Sequence, residues 1–189
     1  MRIYIRHAKK MYRNGRSETF AHDPSITQEA PDEICKYGRS LCALYGPPSL
    51  IICSPYYRCR QTALLLNSQL ASKVPIKCDP RISEYLGNHS NSTLDIHEET
   101  AIHNPPHPER LPEFEHRVRI HNDTMRDFDR TKTVIWVVTH GFVINQLMNY
   151  LGFKGRESLP VLSSFIVREY KKKIHGFLIA NGQIKKLRR

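Results

Sequence analysis

Apolar and polar positions divide the chain into short runs of branched residues and longer segments with helical spacing. Ile3-Tyr4-Ile5 predicts a first strand, Leu50-Ile51-Ile52-Cys53 a second, and Pro75 to Ile82 has room for a third. Thr133 to Val138 is the most apolar run and predicts a central strand, buried on both faces. Two more strands are predicted near 163–171 and 176–180, ahead of a turn at Asn181-Gly182. Between these runs, residues 27–45 place Ile34, Tyr37, Leu41 and Leu44 on one helical stripe, ended by Gly46-Pro47-Pro48. Residues 57–70 predict a helix with a leucine face, and 113–129 another through Phe114, Val118, His121, Met125 and Phe128. Phe142 to Leu151 predicts a short helix stopped by Gly152. The stretch 84–112 breaks the pattern; rich in His, Asn, Ser and Pro, it predicts an insertion or lid. Strands alternating with helices imply the α/β class, as a three-layer α/β/α sandwich around a mainly parallel sheet.

Composition narrows this further. At 189 residues, with 40% hydrophobic and 25% charged positions, the chain suits a single domain with its own core. Its apolar runs are too short for a membrane span, and its first residues lack the apolar region of a secretory signal. The five cysteines are odd in number and form no CxxC pair, which argues against a disulfide framework or zinc ribbon. They are expected as small buried or half-buried hydrophobes in a reducing, cytoplasmic setting. The formal charge is +11 and uneven. Residues 1–16 hold six basic and no acidic side chains, and residues 168–189 hold eight basic and one acidic. Such a surface attracts anions, so a phosphorylated molecule, nucleic acid bound by the basic tail, or an anionic membrane surface is an admissible partner.

In sheets of this kind ligands sit outside the carboxyl ends of the strands. Three polar clusters follow strands here. They are Arg6-His7-Ala8, the run from Ser54 through Arg58 to Ala63, and Thr139-His140-Gly141. Two histidines and two arginines would therefore converge on one sheet edge. Taken together, Arg6-His7-Ala8, Ser54-Pro55-x-x-Arg58-x-x-Gln61-Thr62-Ala63 and Thr139-His140-Gly141 resemble the motifs of the histidine phosphatase superfamily, branch 1, which has the phosphoglycerate mutase-like fold. Asp23-Pro24-Ser25-Ile26-Thr27 resembles the segment that opens its first helix, and Arg81 to Gly87 resembles its loop carrying an acidic residue.

The resemblance implies a catalytic set of His7 as nucleophile, Arg6 and Arg58 as forks for phosphate oxygens, His140 as a further cationic donor and Glu84 as general acid. It implies no metal and no other cofactor. Gly141, Lys10 and Asn14 join Arg6, Arg58 and His140 as expected phosphate-binding positions. The chain departs from the family pattern where Lys10 and Arg13 replace a usual Ser and Asn, with Asn14 one step late, and where Ala30-Pro31 replaces a usual Gly. Four histidines of the lid, 89, 97, 103 and 107, are not expected to bind metal, because prolines between His103 and His107 leave no helix to align that pair. The expected activity is metal-independent hydrolysis of a phosphomonoester, either phosphotyrosine or a small phosphorylated metabolite, through a phosphohistidine. The modest lid favours water attack over transfer to a second substrate. Two other readings stand beside it: a phosphoglycerate mutase, and a catalytically idle basic module for RNA or a phosphoprotein.

Overall fold

The computed structural model describes residues 1–11, 22–87, 96–103, 105, 108–129, 133–155, 158–171 and 173–189. Seven strands form one sheet: β1 (Arg2–Arg6), β2 (Leu50–Cys53), β3 (Ile76–Cys78), β4 (Ile135–Thr139), β5 (Ser164–Tyr170), β6 (Lys173–Ala180) and β7 (Gln183–Lys186). Five helices accompany them: α1 (Ala30–Tyr45), α2 (Tyr57–Ser68), α3 (Glu98–His103), α4 (Leu111–Asp129) and α5 (Gly141–Tyr150). Strand order is β3-β2-β4-β1-β5-β6-β7.

The sheet is mixed. β3, β2, β4 and β1 pair in parallel, giving the expected parallel core. β5, β6 and β7 extend it as an antiparallel wing. Connection length explains the difference, since the tight turn at Asn181-Gly182 can join only antiparallel neighbours. The turn strains Asn181 to φ 51° and suits Gly182 at φ 73°.

Helices cover both faces. On one side Ile34 and Leu41 of α1 and Cys59, Ala63 and Leu66 of α2 pack on Ile3, Ile5, Ile51, Trp136 and Val138. On the other, Phe114, Val118 and Met125 of α4 and Val143, Ile144 and Leu147 of α5 pack on Tyr4, Ile135, Val137 and Phe165. At about 25 cal/mol per Å² of apolar surface, these two layers are the main source of stability. Every residue of β4 is buried, which is why its sequence is unbroken by polar positions. Gly176 in β6 lacks a Cβ for a packing reason: one placed there would meet the Phe153 ring at 2.8 Å.

Several expectations change. The leucine face of α2 is instead a small-residue face: Cys59, Thr62 and Ala63 are buried against the sheet with Leu66, while Leu64 is 61% exposed. Phe128 ends the α4 stripe partly exposed. The segment expected as an insertion or lid contains a short helix, α3, and part of the basic end forms β7. Of the cysteines, Cys53 and Cys59 are buried and Cys35 and Cys42 half-buried, but Cys78, on edge strand β3, is exposed. No helix among the described residues is long and apolar enough to cross a membrane.

Candidate active site

The parallel strands β1, β2 and β4 end side by side, and each releases its chain at the same edge. The His7 N–H donates to the Thr139 carbonyl and the Ser54 N–H to the Val138 carbonyl, both at 2.9 Å. The sheet register thus carries on for one residue past the strands and fixes where the three motifs begin. His7, Ser54, Arg58 and His140 are all buried there.

His7 is held as a neutral ring with a defined tautomer. Its Nδ1–H donates to the carbonyl of Ala8 at 2.7 Å, leaving Nε2 with its lone pair. Arg58 Nε–H points at that lone pair from 3.2 Å. Burial lowers the His7 pKa well below 6.5, and the neighbouring charge of Arg58 lowers it further. A neutral imidazole with a free Nε2 is the form in which histidine acts as a nucleophile.

Arg58 organises the rest. It enters from the first turn of α2, with its guanidinium carbon 4.7 Å from the centre of the Tyr56 ring. Nη1 donates to the His22 carbonyl at 3.2 Å and lies 3.5 Å from Asp23 Oδ1. Nη2 lies 3.0 Å from Glu84 Oε2, the oxygen that also faces His140 Nδ1 at 3.0 Å. His140 Nε2 in turn meets Ser54 Oγ at 2.9 Å. The two imidazoles stand edge to face, centroids 5.3 Å apart. For Glu84, burial pushes the pKa up but is outweighed by His140 and Arg58, so the carboxyl is ionised. Burial lowers the His140 pKa against the opposing pull of Glu84. A neutral His140 therefore donates from Nδ1 to Glu84 and accepts the Ser54 hydroxyl proton at Nε2.

The expected residues are thus placed as follows. His7, Arg58, Glu84 and His140 form one hydrogen-bonded cluster. Arg6 ends β1 half-buried beside them, its Nη1 donating to the Leu159 carbonyl. Its side chain crosses the first turn of α5, where a Cβ on Gly141 would come within 3.4 Å of its Nε. Lys10 lies on a short antiparallel bridge to Ile26, half-buried. Asn14, Arg13, His89 and His107 lie outside the described residues.

Other residues carry the cluster and were not assigned a role from sequence. Asp23, fully buried, accepts the Tyr57 N–H at 2.7 Å and the Thr100 hydroxyl at 2.6 Å, tying α3 of the lid to the first turn of α2. Thr62 accepts the Ala8 N–H at 3.2 Å, and Gln61 accepts that of Ile26 at 2.9 Å. Arg117 of α4 is buried and forks onto Glu109 at 2.5 and 2.8 Å. The same guanidinium donates to the carbonyls of Arg81, Ser83 and Glu84 at 2.8, 3.0 and 3.4 Å. It clamps the backbone of the loop that presents Glu84. Gln61 and Thr62 were visible in the α2 motif and Asp23 in the segment before α1; Thr100, Glu109 and Arg117 had no local signal.

Donor atoms of His7, Glu84 and His140 lie within 4.8 Å of one another, a spacing a metal ion could use. The Arg58 guanidinium contacts both Glu84 and His7, so a metal there would meet a permanent positive charge. What the cations and N–H groups suit is a multiply charged oxyanion, set against a lone pair able to attack it.

The site thus sets a neutral imidazole with an open Nε2 beside a guanidinium, at the carboxyl edge of a three-layer α/β sandwich. The chain belongs to branch 1 of the histidine phosphatase superfamily, whose family model matches residues 3–161. Members of that superfamily are phosphatases or mutases. No curated protein matches the chain in sequence. Among solved structures it is similar to YhfR of Bacillus stearothermophilus, with TM-score 0.69, 19% identity and 97% of each chain covered. It is similar to the alpha-ribazole phosphatase of Shigella flexneri, with TM-score 0.68, 17% identity and 92% of each chain covered. It also resembles the mycobacterial glucosyl-3-phosphoglycerate phosphatase Rv2419c in complex with VO3, with TM-score 0.64 and 16% identity over 93% of this chain and 95% of that one. The fold is that of the phosphoglycerate mutase-like histidine phosphatases.

Proposed function

We propose that the chain is a metal-independent phosphomonoester hydrolase acting through a phosphohistidine on His7. The observation that carries this reading is the state of His7: buried, neutral, with Nδ1–H fixed on Ala8 and Nε2 facing Arg58. The similar solved structures include an alpha-ribazole phosphatase and a glucosyl-3-phosphoglycerate phosphatase.

In the first step the His7 Nε2–P bond forms in line as the bond from phosphorus to the leaving oxygen breaks. Arg6, Arg58 and His140 hold the non-bridging oxygens, where the transferring group keeps its charge. Glu84 is ionised in the free site, held so by His140 and Arg58. A phosphate dianion draws both partners toward itself and adds a like charge beside the carboxylate, which raises its pKa and lets it carry a proton. Glu84 then passes that proton to the leaving oxygen. In the second step water attacks phosphorus, Glu84 takes a proton from it, and the Nε2–P bond breaks to release inorganic phosphate.

The rim beside Glu84 is aromatic. Tyr85 stacks on Phe142 with ring centres 5.4 Å apart, and Phe142 is 43% exposed. That wall supports an apolar or aromatic leaving group, so phosphotyrosine ranks ahead of a sugar phosphate. The free cysteines suit a reducing compartment, and we place the protein in the cytoplasm.

The test is turnover of p-nitrophenyl phosphate with and without a chelator, beside His7→Ala. The expected result is chelator-resistant activity lost by about 10³-fold or more in the variant, the scale of removing a covalent nucleophile. Quenching the native enzyme in alkaline detergent should trap a phosphoprotein that survives base and is lost on acid treatment. Turnover unchanged in His7→Ala would remove the nucleophile and the proposal with it.

A further inference from the structure

The antiparallel wing offers a second surface, at the opposite end of the sheet from His7. Helix α1 covers only part of its face. Where α1 ends, at Leu44 and Tyr45, a cavity of about 730 Å³ opens between the helix and the wing. Ile166, Tyr170, Phe177 and Ile184 line it together with Arg168, Lys171 and Glu169. Tyr170 is 56% and Ile184 49% exposed.

The register extends this lining into an ordered array. Arg168 pairs with His175, Tyr170 with Lys173, and Phe177 with both Ile166 and Lys186. Directly paired residues share a face of the sheet. One face of β5, β6 and β7 therefore interleaves Tyr170 and Phe177 with Arg168, Lys173, His175 and Lys186. The one carboxylate of residues 164–189, Glu169, alternates onto the other face, where it lies 3.5 Å from Arg126 of α4. Glu169 also touches the cavity, where its charge is met by Arg126, and the cations of the aromatic face outnumber it. The distance of this face from His7 is roughly the length of β1, about 17 Å at ~3.3 Å per residue.

Aromatic rings set among cations on an open sheet are the two parts of a single-strand nucleic-acid platform: bases stack on the rings while the phosphates meet the cations. An acidic peptide would use the charges but bring no flat ring to set against Tyr170 and Phe177. A lipid surface would demand apolar residues projecting from a convex face, whereas these line a recess. We infer that this wing binds single-stranded nucleic acid, with a base entering the cavity against Tyr170 and Phe177 and the backbone held by Arg168, Lys171, Lys173 and Lys186. The site is separate from the phosphatase centre and does not depend on it.

The experiment is fluorescence anisotropy of the full chain with an internally labelled twelve-nucleotide oligouridylate lacking terminal phosphates. Binding should weaken with salt at a log–log slope of about −3, as for four neutralised phosphates on a single strand. Tyr170→Ala should weaken it roughly tenfold, the scale of one lost base–aromatic stack, and Tyr170→Phe should restore it. Arg168→Gln and Lys186→Gln should each flatten the salt slope. All four variants should keep native p-nitrophenyl phosphate turnover, and His7→Ala should keep native oligonucleotide binding. The inference is overturned if Tyr170→Ala binds as the native protein does, if His7→Ala abolishes binding, or if polyglutamate or phosphatidylglycerol vesicles compete as well as the oligonucleotide does.

Discussion

At the scale of single residues the site is a set of imidazole and guanidinium orientations, each fixed by one or two hydrogen bonds. Ser54 shows how much rests on one hydroxyl. It meets His140 Nε2 at 2.9 Å, inside a pocket where neither group sees water. Ser54→Ala leaves that ring nitrogen facing a methyl group, a loss of about 1–3 kcal/mol for a buried polar atom. We expect kcat/KM for a phosphomonoester to fall about 10- to 100-fold; an unchanged value would mean that Glu84 alone orients His140. His7 and His140 were legible in the sequence because each follows a strand directly, and Arg58 because it opens the helix that follows β2. Ser54 was legible only as part of its motif, since its partner is 86 residues away. Glu84 was legible as a carboxylate in the right loop, but not its ionised state, which depends on Arg58 and His140 both facing one of its oxygens.

At the scale of elements, α4 acts on chemistry it does not touch. Its Arg117, anchored by Glu109, holds three carbonyls of the loop that presents Glu84. Removing the guanidinium should loosen that loop more than it disturbs His7, which is fixed by β1 and β4. Arg117→Met should therefore behave as a weakened Glu84→Gln. Loss of kcat should be large for an alkyl phosphate, whose leaving oxygen needs a proton, and small for p-nitrophenyl phosphate, whose leaving group departs without one. Equal losses on both substrates would assign Arg117 to general stability instead. The urea midpoint will fall in either case, because a buried Glu109 is left without its partner. Nothing near Arg117 in the sequence marks this role: it lies beside Phe114 and His121 on the buried face of α4, where a charge has no local partner to name it, and its targets are some 34 residues earlier. β7 escaped for a different reason. Gln183-Ile184-Lys185-Lys186 is exposed throughout, so it has no apolar alternation, and its pairing with β6 through a two-residue turn is what makes it a strand. The parallel strands, by contrast, carry their burial in their composition.

For the whole molecule, burying histidines on both sides of the sheet ties folding to pH. His7 and His140 sit at the carboxyl edge, and His121 is on the buried face of α4 with Nδ1 2.7 Å from Asp79 Oδ2 and Nε2 buried without a hydrogen-bond partner. Burial lowers the pKa of all three below 6.5. The unfolded chain therefore takes up protons near pH 6.5 that the folded protein refuses, and stability must fall as pH drops through that value. Each histidine contributes a slope of up to about 1.4 kcal/mol per pH unit until its own folded pKa is reached. Glu84 and Asp79 act lower down. Both are held below their ordinary pKa, Glu84 by His140 and Arg58, Asp79 by His121 and Arg81, against the opposing effect of burial. Their contribution is full above the unfolded values of 4.5 and 3.8 and is lost as pH falls further. The urea midpoint should then be level above pH 7, decline from about 6.5 to 5, and steepen below 4.5. Catalysis should follow a different course: His7 stays unprotonated well below pH 6.5, so kcat should persist in acid where the fold is already weakening. His121→Asn, remote from the phosphate site, separates the two effects. It should shallow the decline in midpoint between pH 6.5 and 5 and leave the pH profile of kcat where it was. A midpoint that stayed flat across that range in the native protein would show that the buried rings take up protons in the folded state as readily as in the unfolded one.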